Sequence, residues 1–88
     1  MLSLPATLTH AQAQATLAGL LAAMPQEGAQ VVVDASALSD FDSSALAVLL
    51  ALRRKCTAQG KALVCQQLTP RLVELAALYG ITELITPA

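Results

Sequence analysis

The spacing of apolar positions changes along this chain of 88 residues, and the changes mark its elements. Ala13, Leu17, Leu20, Leu21 and Met24 recur at helical spacing, and Thr9-His10-Ala11-Gln12 ahead of them has the Thr-x-x-Gln form of a capping box. Pro25 and Gly28 then intervene, so the pattern predicts a first helix from Thr9 to Met24. Before it, Leu2 and Leu4 alternate with Ser3 and lead into Pro5, which suits a short edge strand because proline cannot donate to a central ladder. Gln30-Val31-Val32-Val33-Asp34 is a stronger strand, and its valines, which do not alternate with polar residues, predict burial on both faces in a parallel or mixed sheet. After the loop from Ala35 to Phe41, a central helix opens at Asp42-Ser43-Ser44 and runs through Ala45 to Leu52, with Leu46, Leu49 and Leu50 on its core face and Gly60 as its stop. Lys61 to Gln66 reads as the next buried strand, and Thr69-Pro70 starts a helix that carries Leu72, Val73, Leu75, Ala76 and Leu78 and ends at Tyr79-Gly80. Ile81 to Ile85 reads as a last short strand or an irregular tail.

The order β-α-β-α-β-α-β, with no repeat or linker, predicts one α/β domain over residues 1–88. Right-handed crossovers then give a mixed β-sheet with parallel inner strands covered by α-helices. Composition narrows the function. At 56% hydrophobic and 2% aromatic, the core is built from Leu, Val, Ile and Ala, and no aromatic platform exists for stacking bases. Five basic against six acidic residues give no excess of positive charge for a phosphate backbone, so nucleic acid is not an expected partner. The one basic cluster, Arg53-Arg54-Lys55, falls near the end of the central helix, where it complements the negative end of the dipole. No apolar run reaches the roughly eighteen residues of a bilayer span, and Met1-Leu2-Ser3-Leu4 does not open a signal peptide, so a cytoplasmic protein without membrane insertion is expected. Cys56 and Cys65 fit neither a metal knuckle nor a CxxC motif and read as small core or edge residues, leaving no metal and no cofactor. A high apolar fraction with only 12% charge leaves apolar surface to be covered by a partner.

The chemistry concentrates at the start of the central helix. Asp42 can cap the first free N–H groups there, and the helix dipole favours an anion on Ser43 or Ser44, which makes a phosphoserine switch available beside the plain capping role. Asp34 terminates its strand and bonds loop amides, while Asp40 and Phe41 extend the candidate surface ahead of Asp42. Tyr79 reads as a cover over the core beside Gly80 with its hydroxyl at the surface, and His10 as a partly exposed residue of the first helix's capping turn. A catalytic set of Ser43, His10 and Asp42 would have no Gly-x-Ser-x-Gly elbow around the serine, and no phosphate-binding Gly-x-x-x-x-Gly-Lys loop is present, so no catalytic residue is assigned and the chain is not expected to be an enzyme.

Val31-Val32-Val33-Asp34-x-Ser36-x-Leu38-x-x-Phe41-Asp42-Ser43-Ser44-Ala45-Leu46-Ala47-Val48-Leu49 resembles the signature of STAS domains, the fold shared by anti-sigma factor antagonists and sulfate-transporter tails. The hydroxyl residue after the signature aspartate is the phosphorylation or partner-contact site in that family, which by position implies Ser43. The flanks, Leu2 to Thr9 and Leu75-Ala76-Ala77-Leu78-Tyr79-Gly80-Ile81, look like those of MlaB-type STAS subunits of Mla phospholipid-transport ABC complexes. That resemblance implies a non-catalytic accessory subunit bound to the cytoplasmic ATPase (MlaF-like) of a complex with a membrane permease (MlaE-like), peripheral to the inner membrane through its partner. Asp40, Phe41, Asp42, Ser43 and Ser44 are then its expected partner-binding residues. The alternative is an anti-sigma factor antagonist-like regulator, in which phosphorylation of Ser43 adds about −1.5 to −2 charge and expels the partner. Two positions depart from the family pattern. Ala45 stands where Gly is common, adding a methyl expected to limit a partner's approach, and Thr9 stands where Asp is common.

Overall fold

The computed structural model describes residues 1–85, so residues 86–88 of the expected domain lie outside the described residues. In chain order the elements are β1 (Leu2–Ser3), β2 (Thr7–Leu8), α1 (His10–Ala23), a 3-10 turn (Met24–Gln26), β3 (Gln30–Asp34), β4 (Asp40–Phe41), α2 (Ser43–Ala58), β5 (Ala62–Gln66), α3 (Pro70–Leu78) and α4 (Thr82–Ile85). The fold is mixed α/β, as the periodicity predicts, and every described strand pairing is parallel.

The main sheet has the order β1-β3-β5, with Leu2 beside Val33, Val31 beside Leu63 and Val33 beside Cys65. Strand order advances in one direction, so right-handed crossovers carry α1 and α2 to the same face, where they pack on each other. This corrects the reading of the valine run. Val31 and Val33 are fully buried under the helices, whereas Val32, paired with Val64 on the opposite face, is half-buried and outside the core cluster. The edge position expected for the first strand is observed, with Leu2 and Leu4 both buried.

Two further expectations are corrected. The segment from Ala35 to Phe41 is not all loop: it ends in β4, which pairs with β2 in a second small sheet, and the Ala6 carbonyl accepts from the Ser39 and Asp40 amides. Strands of two residues have no period to read. Ile81 to Ile85 contains neither a strand nor an irregular tail but α4. Gly80, at φ 69°, lets the Ile81 amide reach the Ala76 carbonyl and the Gly80 amide reach Ala77, a Schellman closure that turns the chain back over the core. Ile81 and Ile85 then fall one turn apart on the inner side, and Ile85 is buried.

α2 is the centre of the domain, touching α1, β5, α3 and α4. Its buried residues, Ala45, Leu46, Val48, Leu49, Leu52 and Cys56, form a band broader than a single stripe because neighbours close on it from several sides. Leu50, expected in the core, is only half-buried on the flank of that band. α2 ends in the same closure as α3, with Gly60 at φ 71° and the Lys61 amide on the Cys56 carbonyl at 2.8 Å. Cys56 and Cys65 are buried free thiols, as their reading as small core residues requires. Burial, with Cys56 nearby, pushes the Cys65 thiol up to about 11, so it stays protonated at neutral pH.

Candidate partner-binding site

Asp42 follows β4 in extended conformation, and that places its carboxylate over the first turn of α2. Oδ1 accepts from the Ser44 backbone N–H at 2.8 Å, the capping bond expected from the sequence. Oδ2 accepts from the backbone N–H of His10 at 3.3 Å, which the sequence does not announce. One carboxylate therefore holds the starts of two helices. α1 adds its own cap, because Gln12 Oε1 reaches back to the Thr9 backbone N–H at 2.9 Å and its hydroxyl at 2.7 Å. Asp34 behaves as read, accepting from the Ser36 amide and hydroxyl at the end of β3.

The Ser44 N–H is the main reason the Asp42 carboxyl titrates below its ordinary value, and the His10 amide and ring charge act in the same direction. A carboxylate whose folded pKa is depressed contributes stability that is present above the unfolded value of about 3.9 and is lost as pH falls through the folded value. Melting temperature should accordingly fall with acidification below about pH 4, and Asp42→Asn should make that dependence shallower. Melts from pH 6 to pH 2 followed by circular dichroism check this, and an unchanged profile in Asp42→Asn would remove the carboxylate from the account.

Ser43, the first residue of α2, is exposed, and its hydroxyl makes no hydrogen bond among the described residues. Two open grooves meet at it. The larger, about 410 Å³, lies between the start of α2 and α3, bounded by Phe41 and Asp42 on one side and by Arg71, Glu74, Leu75 and Leu78 on the other. The smaller, about 270 Å³, continues along α2 past Leu46, Ala47 and Leu50 to Ile81. Ser43 and Tyr79 line both. The Arg71 guanidinium sits 5.1 Å from the centre of the Phe41 ring, a cation–π contact that ties α3 to the end of β4.

Of the five expected contact residues, Phe41, Asp42 and Ser43 are brought together in the larger groove, and Asp40 is exposed beside them on β4. Phe41 is largely a core residue, at 9% exposure, and offers little surface to a partner. Ser44 is half-buried and turned to Asp42 through its amide. Ala45 corrects the expectation that its methyl meets a partner, because it is fully buried on the core side of α2. Tyr79 is also corrected. Rather than covering the core it is 59% exposed as a wall of both grooves, next to Leu78 at 84%. The sequence points to the outer faces of the helices after α2 as further contact surface but does not single out Arg71, Glu74, Leu75 and Leu78, since only the packing of α3 beside α2 brings them to Ser43; the spacing of Leu75 and Leu78 signals a helix face without saying which face is covered.

The described core holds no buried polar or charged side chain, so the polar chemistry of the described residues is at the surface. His10 meets Asp42 through its backbone amide, not through a ring hydrogen bond. No helix among the described residues is long and apolar enough to cross a membrane. Residues 1–86 match the family model described as Mlab, STAS domain. The chain belongs to that family. A search of curated proteins returns no match for it. As a STAS domain of this family the chain has an accessory or regulatory role exercised through protein partners. The surface available for such contacts includes the two grooves that meet at Ser43.

Proposed function

We propose that this STAS domain is a non-catalytic accessory subunit that binds the cytoplasmic ATPase (MlaF-like) of an Mla-type phospholipid-transport ABC complex. In this role it supports assembly and activity of a transporter whose permease is MlaE-like, and it sits at the inner membrane only through that partner. The observation that carries the reading is the exposed Ser43 hydroxyl, without a hydrogen bond among the described residues, at the junction of two open grooves in a domain of the MlaB type. The exposed apolar side chains of Leu78 and Tyr79 at these grooves favour a macromolecular partner over a small substrate, because they lose contact with water only when covered. The second reading, an anti-sigma factor antagonist-like regulator switched by phosphorylation, draws on the same exposed hydroxyl. The two part on what the domain holds in the cell. Affinity purification of the tagged chain from its host, with mass spectrometry, should recover an ABC ATPase and Ser43 without added phosphate mass. Recovery of a kinase-like anti-sigma factor in its place, with Ser43 phosphorylated, would decide for the regulator.

A further inference from the structure

Charge is unevenly distributed along α2. Asp42 and Glu74 line the larger groove and Asp40 stands exposed next to it, while Arg53, Arg54 and Lys55 occupy the far end of the helix. From Asp42 to Arg54 the helix rises about 18 Å, roughly twice the Debye length at physiological salt, so a partner at one end responds little to the other. A chain of net charge −1 thus presents an acidic groove end and a basic opposite end. The single ion pair among the described residues joins the Met1 amino group to Glu27, so Asp40, Asp42 and Glu74 have no ion-pair partner among the described residues. Arg71 is the one cation in the groove lining and is stacked on Phe41.

The walls of the groove select the occupant's shape. They come mainly from α2 and α3 with the adjoining Tyr79, and side-chain ridges of two helices leave a channel into which a third helix packs. Leu78 and Tyr79 supply adjacent exposed apolar area, the kind of surface an amphipathic helix covers. We infer that the groove from Phe41 past Ser43 to Tyr79 seats an amphipathic helix of the ATPase subunit, its apolar stripe on Leu75, Leu78 and Tyr79 and its flanks carrying Lys or Arg toward Asp40, Asp42 and Glu74. This rests on the ATPase reading proposed above and adds the chemistry of the segment that docks.

The test titrates the purified ATPase subunit with wild-type domain, Glu74→Lys and Arg54→Glu at 50 and 300 mM salt, with circular dichroism to confirm folding. Glu74 and Arg54 are exposed on helices and are exchanged between good helix formers, so both variants should fold. Wild-type affinity should fall with salt. Glu74→Lys should weaken it on the order of tenfold and flatten the salt dependence, while Arg54→Glu stays close to wild type. Hydrogen exchange on the complex should show protection of α3 and of a Lys- or Arg-flanked amphipathic helix in the ATPase. Binding that is insensitive to salt and to Glu74→Lys, or protection of an acidic or non-helical ATPase segment, overturns the inference and leaves the ATPase reading standing. Absence of wild-type binding at any salt overturns both, and is recognised without recourse to the variants.

Discussion

Replacing Leu49 by alanine should lower the stability of the domain by about 2–5 kcal/mol, the cost of lost apolar transfer plus an unfilled cavity. Leu49 has no exposed surface and lies in the helix that α1, β5, α3 and α4 all touch, so the hole would be walled by several elements that cannot all collapse into it. In a domain of this size each kcal/mol shifts the melting midpoint by about 4–8 °C, and a native stability of about 4–13 kcal/mol leaves little reserve. Partner binding should fail in the same variant, through loss of the folded state rather than loss of a contact. Thermal melts by circular dichroism measure the effect, and an unchanged midpoint together with lost binding would transfer Leu49 from the core to the interface.

Tyr79→Ala should have the opposite profile, with the fold kept and the partner lost. The backbone amide of Tyr79 closes α3 on Leu75 at 3.2 Å whatever the side chain, and the ring is mostly in solvent, so stability should change by about 1 kcal/mol or less. Lining both grooves, the ring is placed where a partner bridging them would bury it, and buried tyrosines are frequent anchors whose truncation costs about 2 kcal/mol or more. That corresponds to about thirtyfold in affinity for the ATPase subunit, measurable by calorimetry. Wild-type affinity in a folded Tyr79→Ala protein would place the contact surface away from these grooves.

The elements that could be read from the residues are those whose information is local. A capping box at Thr9, an aspartate N-cap at Asp42, a proline in the first turn of α3 and glycines at 60 and 80 each act within a few residues, and all appear where their chemistry puts them. The strand–loop–helix run from Val31 to Leu49 likewise carried the family resemblance, because its residues form one continuous stretch. What the sequence left undecided depends on distance in space. Two-residue strands exist only because Thr7–Leu8 and Asp40–Phe41 meet, and the sidedness of the valine strand depends on both crossovers landing on one face. The candidate site is divided in the same way. Asp42 and Ser43 mark its beginning by local chemistry, but its other wall, Arg71 through Tyr79, comes from a helix whose exposed face was set only when α3 docked beside α2 and spent Leu72 and Ala76 on the core. A hydrophobic stripe specifies that a helix must bury one side; which of its remaining residues then stand opposite a serine some thirty positions earlier is decided by packing alone.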